Sequence, residues 1–226
     1  MPAVAPSLHL RRGTRDIHIR CSTVADGDFH IDGDRVALRH RRQAFERGRW
    51  TQLDEVHGTD VLVVEQPGQH DFVVGDAAIT TRLGAVLGVW VGDCAPVVLV
   101  GDDTVAAVHA GWRGALDGVL QRSVAAMRSD HVTAVLGPCI HPCCNEFGAA
   151  LLEQFVGRFG SEVAGTTSWG TPSLDLPAVV RAALAEVQVP VTDMSSCTRC
   201  NPEQYFSHRR GQLQRQVMTV RMMQVG

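Results

Sequence analysis

The middle of the chain is a succession of short apolar runs punctuated by glycine, proline and aspartate. Ala85 to Val91, Val97 to Val100 and Val105 to Val108 read as strands, separated from their surroundings by Leu83-Gly84 and Gly101-Asp102-Asp103. Val61 to Val64, broken by Pro67-Gly68, and Ala77 to Thr81 extend the pattern upstream; Val132 to Leu136, stopped by Gly137-Pro138, extends it downstream. Between the last two the period changes: Leu116, Val119, Leu120, Ser123 and Met127 are spaced for a helix over Ala115 to Arg128. Gly148 to Phe159 and Leu176 to Val187 also carry helical spacing, the latter with Asp175 as N-cap and Pro177 at the first helical position. Val217 to Met223 reads as a closing strand. Residues 1–45 are rich in Arg, Asp and His and weakly periodic, with a strand over Thr14 to Cys21 and a short polar helix over Asp34 to Phe45. Without a repeat or an obvious linker, residues 1–226 form one α+β domain around a mixed β-sheet with flanking helices.

Composition narrows the chemistry. The 226 residues are 45% hydrophobic, enough for a packed core, and only 5% aromatic, with a net charge of −3. Nothing draws the chain electrostatically to nucleic acid or an anionic membrane, and no run reaches the roughly 18 apolar residues of a membrane span. Met1 to Leu10 lacks the apolar core of a signal peptide, and seven cysteines is an odd number, so free thiols in a reducing cytoplasm are expected. All 21 basic residues are arginine. Codon usage in a GC-rich genome is a sufficient cause, but the consequence is chemical: a Schiff-base lysine and a P-loop lysine are excluded, and any phosphate must be held by arginine or backbone N–H groups.

Three residues stand in stretches that look built for something other than packing: His57 in Glu55-Val56-His57-Gly58, Cys94 in Gly92-Asp93-Cys94-Ala95-Pro96, and His109 at the head of His109-Ala110-Gly111-Trp112-Arg113-Gly114. Two imidazoles and a thiolate suit a catalytic zinc with an open fourth position. Cys94 and His109 suit equally a nucleophile and its base. Taken singly, each is more often a buried small hydrophobe or a hydrogen-bonded core histidine. Pro96 is expected to stop a regular strand beside Cys94. Gly111 to Gly114 is a tight turn into a helix, so Arg113 and the helix N-terminus together offer an anion site. Arg209 and Arg210, in Tyr205-Phe206-Ser207-His208-Arg209-Arg210, are further phosphate or base contacts; the plain alternative is a solvated turn. Cys143 and Cys144, with the C-x-x-C pair Cys197 and Cys200, invite a Cys₄ zinc site. Adjacent cysteines point apart in most backbones and the usual pair of C-x-x-C knuckles is missing, so buried thiols in two loops are expected instead.

Together the segments EVHG, GDCAPV, HAGWRG, GPCIHPCC and CT-x-C followed by YFSHRR resemble, in order, the YfiH-like family, described both as laccase-domain polyphenol oxidases and as zinc-dependent purine nucleoside phosphorylases that also deaminate adenosine. The resemblance covers Trp50 to the C-terminus; residues 1–45 match poorly, and the family's GG-x-S segment and Asn-Arg pair have no clear counterpart beyond His40-Arg41. Gly92, His141 and Asn145 stand where the family usually has Ala, Gly and Tyr. The resemblance implies an α+β fold, zinc held by His57, Cys94 and His109, and a cytoplasmic enzyme acting on purine nucleosides, including 5′-methylthioadenosine, and phosphate. Arg113 and Arg209 are then candidates for phosphate or substrate, and Cys94, His109 and Asp93 for catalysis, with Asp93 orienting a ligand histidine or exchanging protons. The rival readings are a metal-free Cys–His hydrolase or deamidase, a copper phenol oxidase, for which the converging histidines are too few, and a non-catalytic protein that keeps the fold. Nothing in the residues specifies an oligomeric state.

Overall fold

Residues 6–225 are described by a computed structural model. The chain opens with a hairpin, β1 (Ser7–Arg12) and β2 (Arg15–Cys21), turning at Gly13-Thr14. Helix α1 (Arg35–Phe45) follows, its first turn closed by the Asp34 carboxylate, which accepts from the amides of Val36 and Ala37. Then come β3 (Arg49–Gln52), β4 (Val61–Val63), β5 (Ala77–Thr80), β6 (Ala85–Val91), β7 (Ala95–Val100) and β8 (Val105–Ala110). Two short helices, α2 (Trp112–Asp117) and α3 (Val119–Met127), lead to β9 (Thr133–Leu136). The remainder is α4 (Ala149–Phe159), the hairpin β10 (Ala164–Thr166) and β11 (Pro172–Leu174), α5 (Leu176–Ala185), β12 (Val191–Asp193) and the closing β13 (Gln216–Gln224). Asp175 caps α5, accepting from the Ala178 amide, with Pro177 at the second helical position rather than the first. Among the described residues no helix is long and apolar enough to cross a membrane.

The fold is α+β, but it holds two large sheets where one mixed sheet was expected. One runs β1-β2-β13-β6-β3, the other β12-β9-β7-β8-β5-β4. They stack face to face. Ile17, Ile19, Leu87, Val89, Met218 and Val220 of the first meet Val98, Val100, Val105, Ala107 and Val135 of the second. On the far side of the first sheet, Val86, Trp50 and Val217 pack against Leu38 and Phe45 of α1. On the far side of the second, Val97, Leu99, Ala106 and Val108 pack against α3 and α5. Successive residues of a strand therefore enter different cores, and both are apolar. That is why the central runs show no polar alternation, and why their period does not reveal which sheet they join. The polar first 45 residues contribute β1, β2 and α1 to this arrangement rather than a separate unit.

Two expectations are corrected. The single helix over Ala115 to Arg128 is two helices, because Gly118 adopts a left-handed conformation (φ 92°, ψ 30°) and breaks it. Pro96 does not interrupt β7. It lies in register opposite His109, its carbonyl accepts from the Gly137 amide at 2.9 Å, and its missing N–H falls beyond the last β7–β9 pair, Val97 with Leu136. The chain passes from the first sheet to the second twice near this point: between β3 and β4, and through Gly92-Asp93-Cys94 between β6 and β7.

Candidate functional site

Those two crossings carry His57 and Cys94. His57 sits in the loop from β3 to β4 with a left-handed backbone (φ 62°), unusual for a residue with a side chain. Cys94 follows Asp93 (φ 141°), another residue in a region that favours glycine. His109 lies within β8, one residue before its end, rather than after the strand. The structure brings all three together: one ligand atom from each lies within 4.8 Å of the others. Cys94 Sγ is 3.7 Å from His57 Nε2, and the two imidazoles meet edge to face at 4.8 Å. Bond lengths of about 2.3 Å to sulfur and 2.0–2.1 Å to nitrogen place tetrahedral S and N ligands roughly 3.6 Å apart, so the donor set and its spacing fit one zinc-sized ion.

The group that organises this cluster is one the sequence did not announce. Asp76, just before β5, has a fully buried carboxylate: Oδ1 accepts from the His57 amide at 2.8 Å and lies 2.9 Å from His109 Nδ1, and Oδ2 accepts from the Gly58 amide at 2.7 Å. Its carbonyl accepts from the His109 amide at 2.7 Å. One side chain thus holds the strained His57 backbone and fixes the proton of His109 on Nδ1, leaving the other ring nitrogen for the cluster. Burial raises the Asp76 pKa, but the His109 ring and the Gly58 and His57 amides outweigh it and hold the carboxyl below its usual range.

Glu55 is the second unannounced group. Its side chain is buried, 3.7 Å from His109 Nδ1, and accepts from the Trp90 amide at 2.9 Å. Burial pushes it up to about 8 against the opposing pull of His109 and Trp90. Burial also raises Cys94, but His109 and His57 prevail and bring the thiol down to about 6. His109 moves the other way: burial lowers it, while Glu55, Cys94 and Asp76 lift it well above the ordinary histidine value. Both shifts act in the same direction, favouring a thiolate facing an imidazolium when no metal is bound.

Glycine at two positions of the HAGWRG segment is required by close approach. A Cβ on Gly111 would lie 2.6 Å from His57 Cδ2 and 3.3 Å from Cys94 Sγ, and one on Gly114 would lie 2.7 Å from the Gly58 carbonyl. Arg113 stacks on Trp112, its guanidinium 4.1 Å from the ring centre. Because Gly118 ends α2 after six residues, the basic character of this corner rests on Arg113 more than on a long helix behind it.

Asp93 does not touch either histidine. Its Oδ1 accepts from Thr198 Oγ1 at 2.6 Å; its Oδ2 accepts from Ser207 Oγ at 3.1 Å and from the Arg209 amide at 2.8 Å. It anchors the C-terminal loop, and the orienting role expected of it belongs to Asp76. Arg209 donates to the Glu146 carbonyl at 3.0 Å and to Asn145 Oδ1 at 3.3 Å. Arg210 turns inward to the carbonyls of Thr198, Arg199 and Tyr205 and serves the loop. A cavity of about 780 Å³ opens beside the cluster, with Glu55, His57, Cys94, His109, Arg113 and Arg209 on its wall. The expectation of separate buried thiols fails for Cys143, Cys144, Cys197 and Cys200, whose sulfurs also converge within 4.8 Å of one another.

The family described as multi-copper polyphenol oxidoreductase laccase matches residues 21–225. The chain belongs to that family, the YfiH-like proteins. It is 36% identical over 222 residues to a protein of Xylella fastidiosa named purine nucleoside phosphorylase, covering 92% of this chain and 82% of that one. It is 33% identical over 192 residues to the purine nucleoside phosphorylase YfiH of Shigella flexneri, covering 82% and 77%. Its fold matches the crystal structure of a Neisseria meningitidis protein with a TM-score of 0.81 at 24% identity, covering 96% of this chain and 99% of that one. For YlmD of Geobacillus stearothermophilus the TM-score is 0.77 at 22% identity, covering 97% and 100%. In this YfiH-like chain the match takes in all but the first 20 residues and the last, so β3 to β13 and every residue of the cavity wall lie inside it.

Proposed function

We propose that this chain is a zinc-dependent purine nucleoside phosphorylase, with adenosine deaminase and 5′-methylthioadenosine phosphorylase activity at the same site. One observation carries the reading: a two-imidazole, one-thiolate cluster in the wall of a cavity that also presents arginine, in a chain 36% identical to a purine nucleoside phosphorylase. His57, Cys94 and His109 would hold the ion, which would supply Lewis acidity at a position open to the cavity. The protein groups do the rest. Trp112 and Phe147, 5.7 Å apart and edge to face, line the cavity with aromatic surface suited to a flat base. Arg113 and Arg209 are the cations for phosphate, whose planar forks bind its oxygens in pairs. Holding phosphate and the nucleoside together makes the displacement at the ribose anomeric carbon effectively intramolecular. Asp76 keeps His109 in one tautomer throughout.

The test is turnover of adenosine, inosine and 5′-methylthioadenosine by the zinc-loaded protein, with and without phosphate, before and after chelation. Phosphate-dependent release of base, and ammonia from adenosine, is expected; neither appearing in the zinc-loaded protein refutes the proposal. A second reading is favoured by the lowered Cys94 and raised His109: a metal-free hydrolase or deamidase with Cys94 as nucleophile and His109 as its acid–base partner. Activity that survives chelation and is abolished by iodoacetamide at Cys94 identifies it. A copper phenol oxidase, suggested by the family's description, has weak support: the cluster offers two imidazoles, and a multicopper centre needs many.

A further inference from the structure

The convergence of four sulfurs lies outside the chemistry above. β12 runs parallel to β9, with Val191 beside Ala134 and Asp193 beside Leu136, so both strands leave the sheet at the same end. The pairing continues past them: Cys139 bridges to Cys197, and the Thr198 amide donates to the Cys139 carbonyl at 3.0 Å. Beyond that point one chain turns at His141 to Cys144, the Cys144 amide donating to the His141 carbonyl, and the other makes the Cys197-Thr198-Arg199-Cys200 turn. The two turns face each other. Cys143 Sγ is 3.7 Å from Cys144 Sγ and 3.6 Å from Cys200 Sγ, Cys144 Sγ is 3.3 Å from Cys200 Sγ, and Cys197 completes a set lying within 4.8 Å throughout.

We propose that Cys143, Cys144, Cys197 and Cys200 form a second metal site, a tetrahedral tetrathiolate for one zinc ion. Four sulfurs about 2.3 Å from a single ion stand about 3.8 Å apart, close to the observed spacing. A two-iron cluster divides its cysteines between two metals and spreads them more widely, so the compact set calls for a mononuclear ion. Packing alone explains Cys21 and Cys139, which are sealed from solvent, but not Cys200, which is exposed and still aimed at two other sulfurs. On binding, the four thiols give up their protons to solvent, and the neutral group becomes a dianion with the ion included; Arg199, inside the turn, supplies a neighbouring positive charge.

The site would fasten one wall of the cavity. Asn145 follows the first pair and receives Arg209; Thr198, between the second pair, holds Asp93. The role is structural, so its test is independent of nucleoside turnover. In zinc-loaded wild-type protein, alkylation mapped by mass spectrometry should find Cys143, Cys144, Cys197 and Cys200 protected and released together by a chelator. The His57→Ala/Cys94→Ser variant should retain one zinc per chain, and its cobalt form should show the absorption of tetrahedral tetrathiolate cobalt. Cys200→Ser, at an exposed position, should lose that zinc while His57, Cys94 and His109 keep theirs. The proposal is overturned if the four cysteines of the zinc-loaded wild type alkylate freely, or if folded His57→Ala/Cys94→Ser protein holds no metal after dialysis against zinc.

Discussion

Asp76→Asn tests the reasoning about the metal centre most directly, because it changes almost nothing but charge and hydrogen-bond polarity. The carboxylate has two acceptor oxygens and three side-chain-directed N–H groups aimed at them: His57 and Gly58 amides at 2.8 and 2.7 Å, and His109 Nδ1 at 2.9 Å. An amide has one acceptor. Turned one way, its NH₂ faces the Gly58 amide; turned the other, it faces both the His57 amide and His109. A donor left facing a donor in a buried site costs about 1–3 kcal/mol. For a chain of this length that lowers the melting temperature by roughly 2–4 °C per kcal/mol. Loss of the carboxylate partner of a ligand histidine typically weakens metal binding by about 10- to 100-fold, or roughly 1.4–2.7 kcal/mol. Competition with a chromophoric chelator measures the zinc affinity of the His57–Cys94–His109 centre, best in a Cys200→Ser background that isolates it. Thermal unfolding in excess chelator measures the metal-free term separately. Unchanged zinc affinity in a folded Asp76→Asn protein refutes the assignment of Asp76 as the orienting group.

Gly111→Ala drives a methyl to within 2.6 Å of the His57 ring; zinc content should fall sharply while far-UV circular dichroism stays native, and full occupancy would show that His57 moves freely. In chelated protein, iodoacetamide should label Cys94 with a midpoint near the value of about 6, the thiolate forming as pH rises through it, while Cys21, which burial pushes up to about 12, stays a thiol and unlabelled at neutral pH. A Cys94 midpoint in the ordinary thiol range contradicts the thiolate–imidazolium pair. Leu87→Ala empties a fully buried position between the sheets and should cost about 2–5 kcal/mol in chemical denaturation; a smaller loss would mean that the two sheets close over the gap.

Elements were legible in the sequence where local pattern was sufficient. The strands from Ala77 to Leu136 and the helix capped by Asp175 fall where the apolar spacing puts them, and the polar helix after Asp34 lies where it was expected, all to within a few residues. The two-sheet arrangement was not, because a strand with two apolar faces carries no mark of which sheet receives it. His57, Cys94 and His109 stood out through the odd segments around them. Asp76 did not: in Gly75-Asp76-Ala77 it looks like any turn residue before a strand, and its three partners come from two other segments. Asp93, next to Cys94 in sequence, drew the role that Asp76 holds, since adjacency along the chain says nothing about which way the carboxylate of a residue at φ 141° points. The four cysteines failed for the same reason. Their meeting depends on the parallel pairing of β9 with β12, strands more than fifty residues apart.

The two links on which His57 and Cys94 ride join one sheet to the other, whereas His109 is built into the second sheet itself. The cluster is therefore a gauge of how the sheets are registered. A slide of one layer over the other strains both links, and only the β3–β4 loop and its hydrogen bonds to Asp76 stand between that strain and the spacing of the ligand atoms. Substitutions deep in the inter-sheet core, such as at Leu87 or Val98, should consequently be read out as metal affinity at a point they never touch. Conversely, an ion bound at the seam should slow hydrogen exchange in both sheets together, making the chemistry of the cavity a constraint on side-chain volume throughout the layer beneath it.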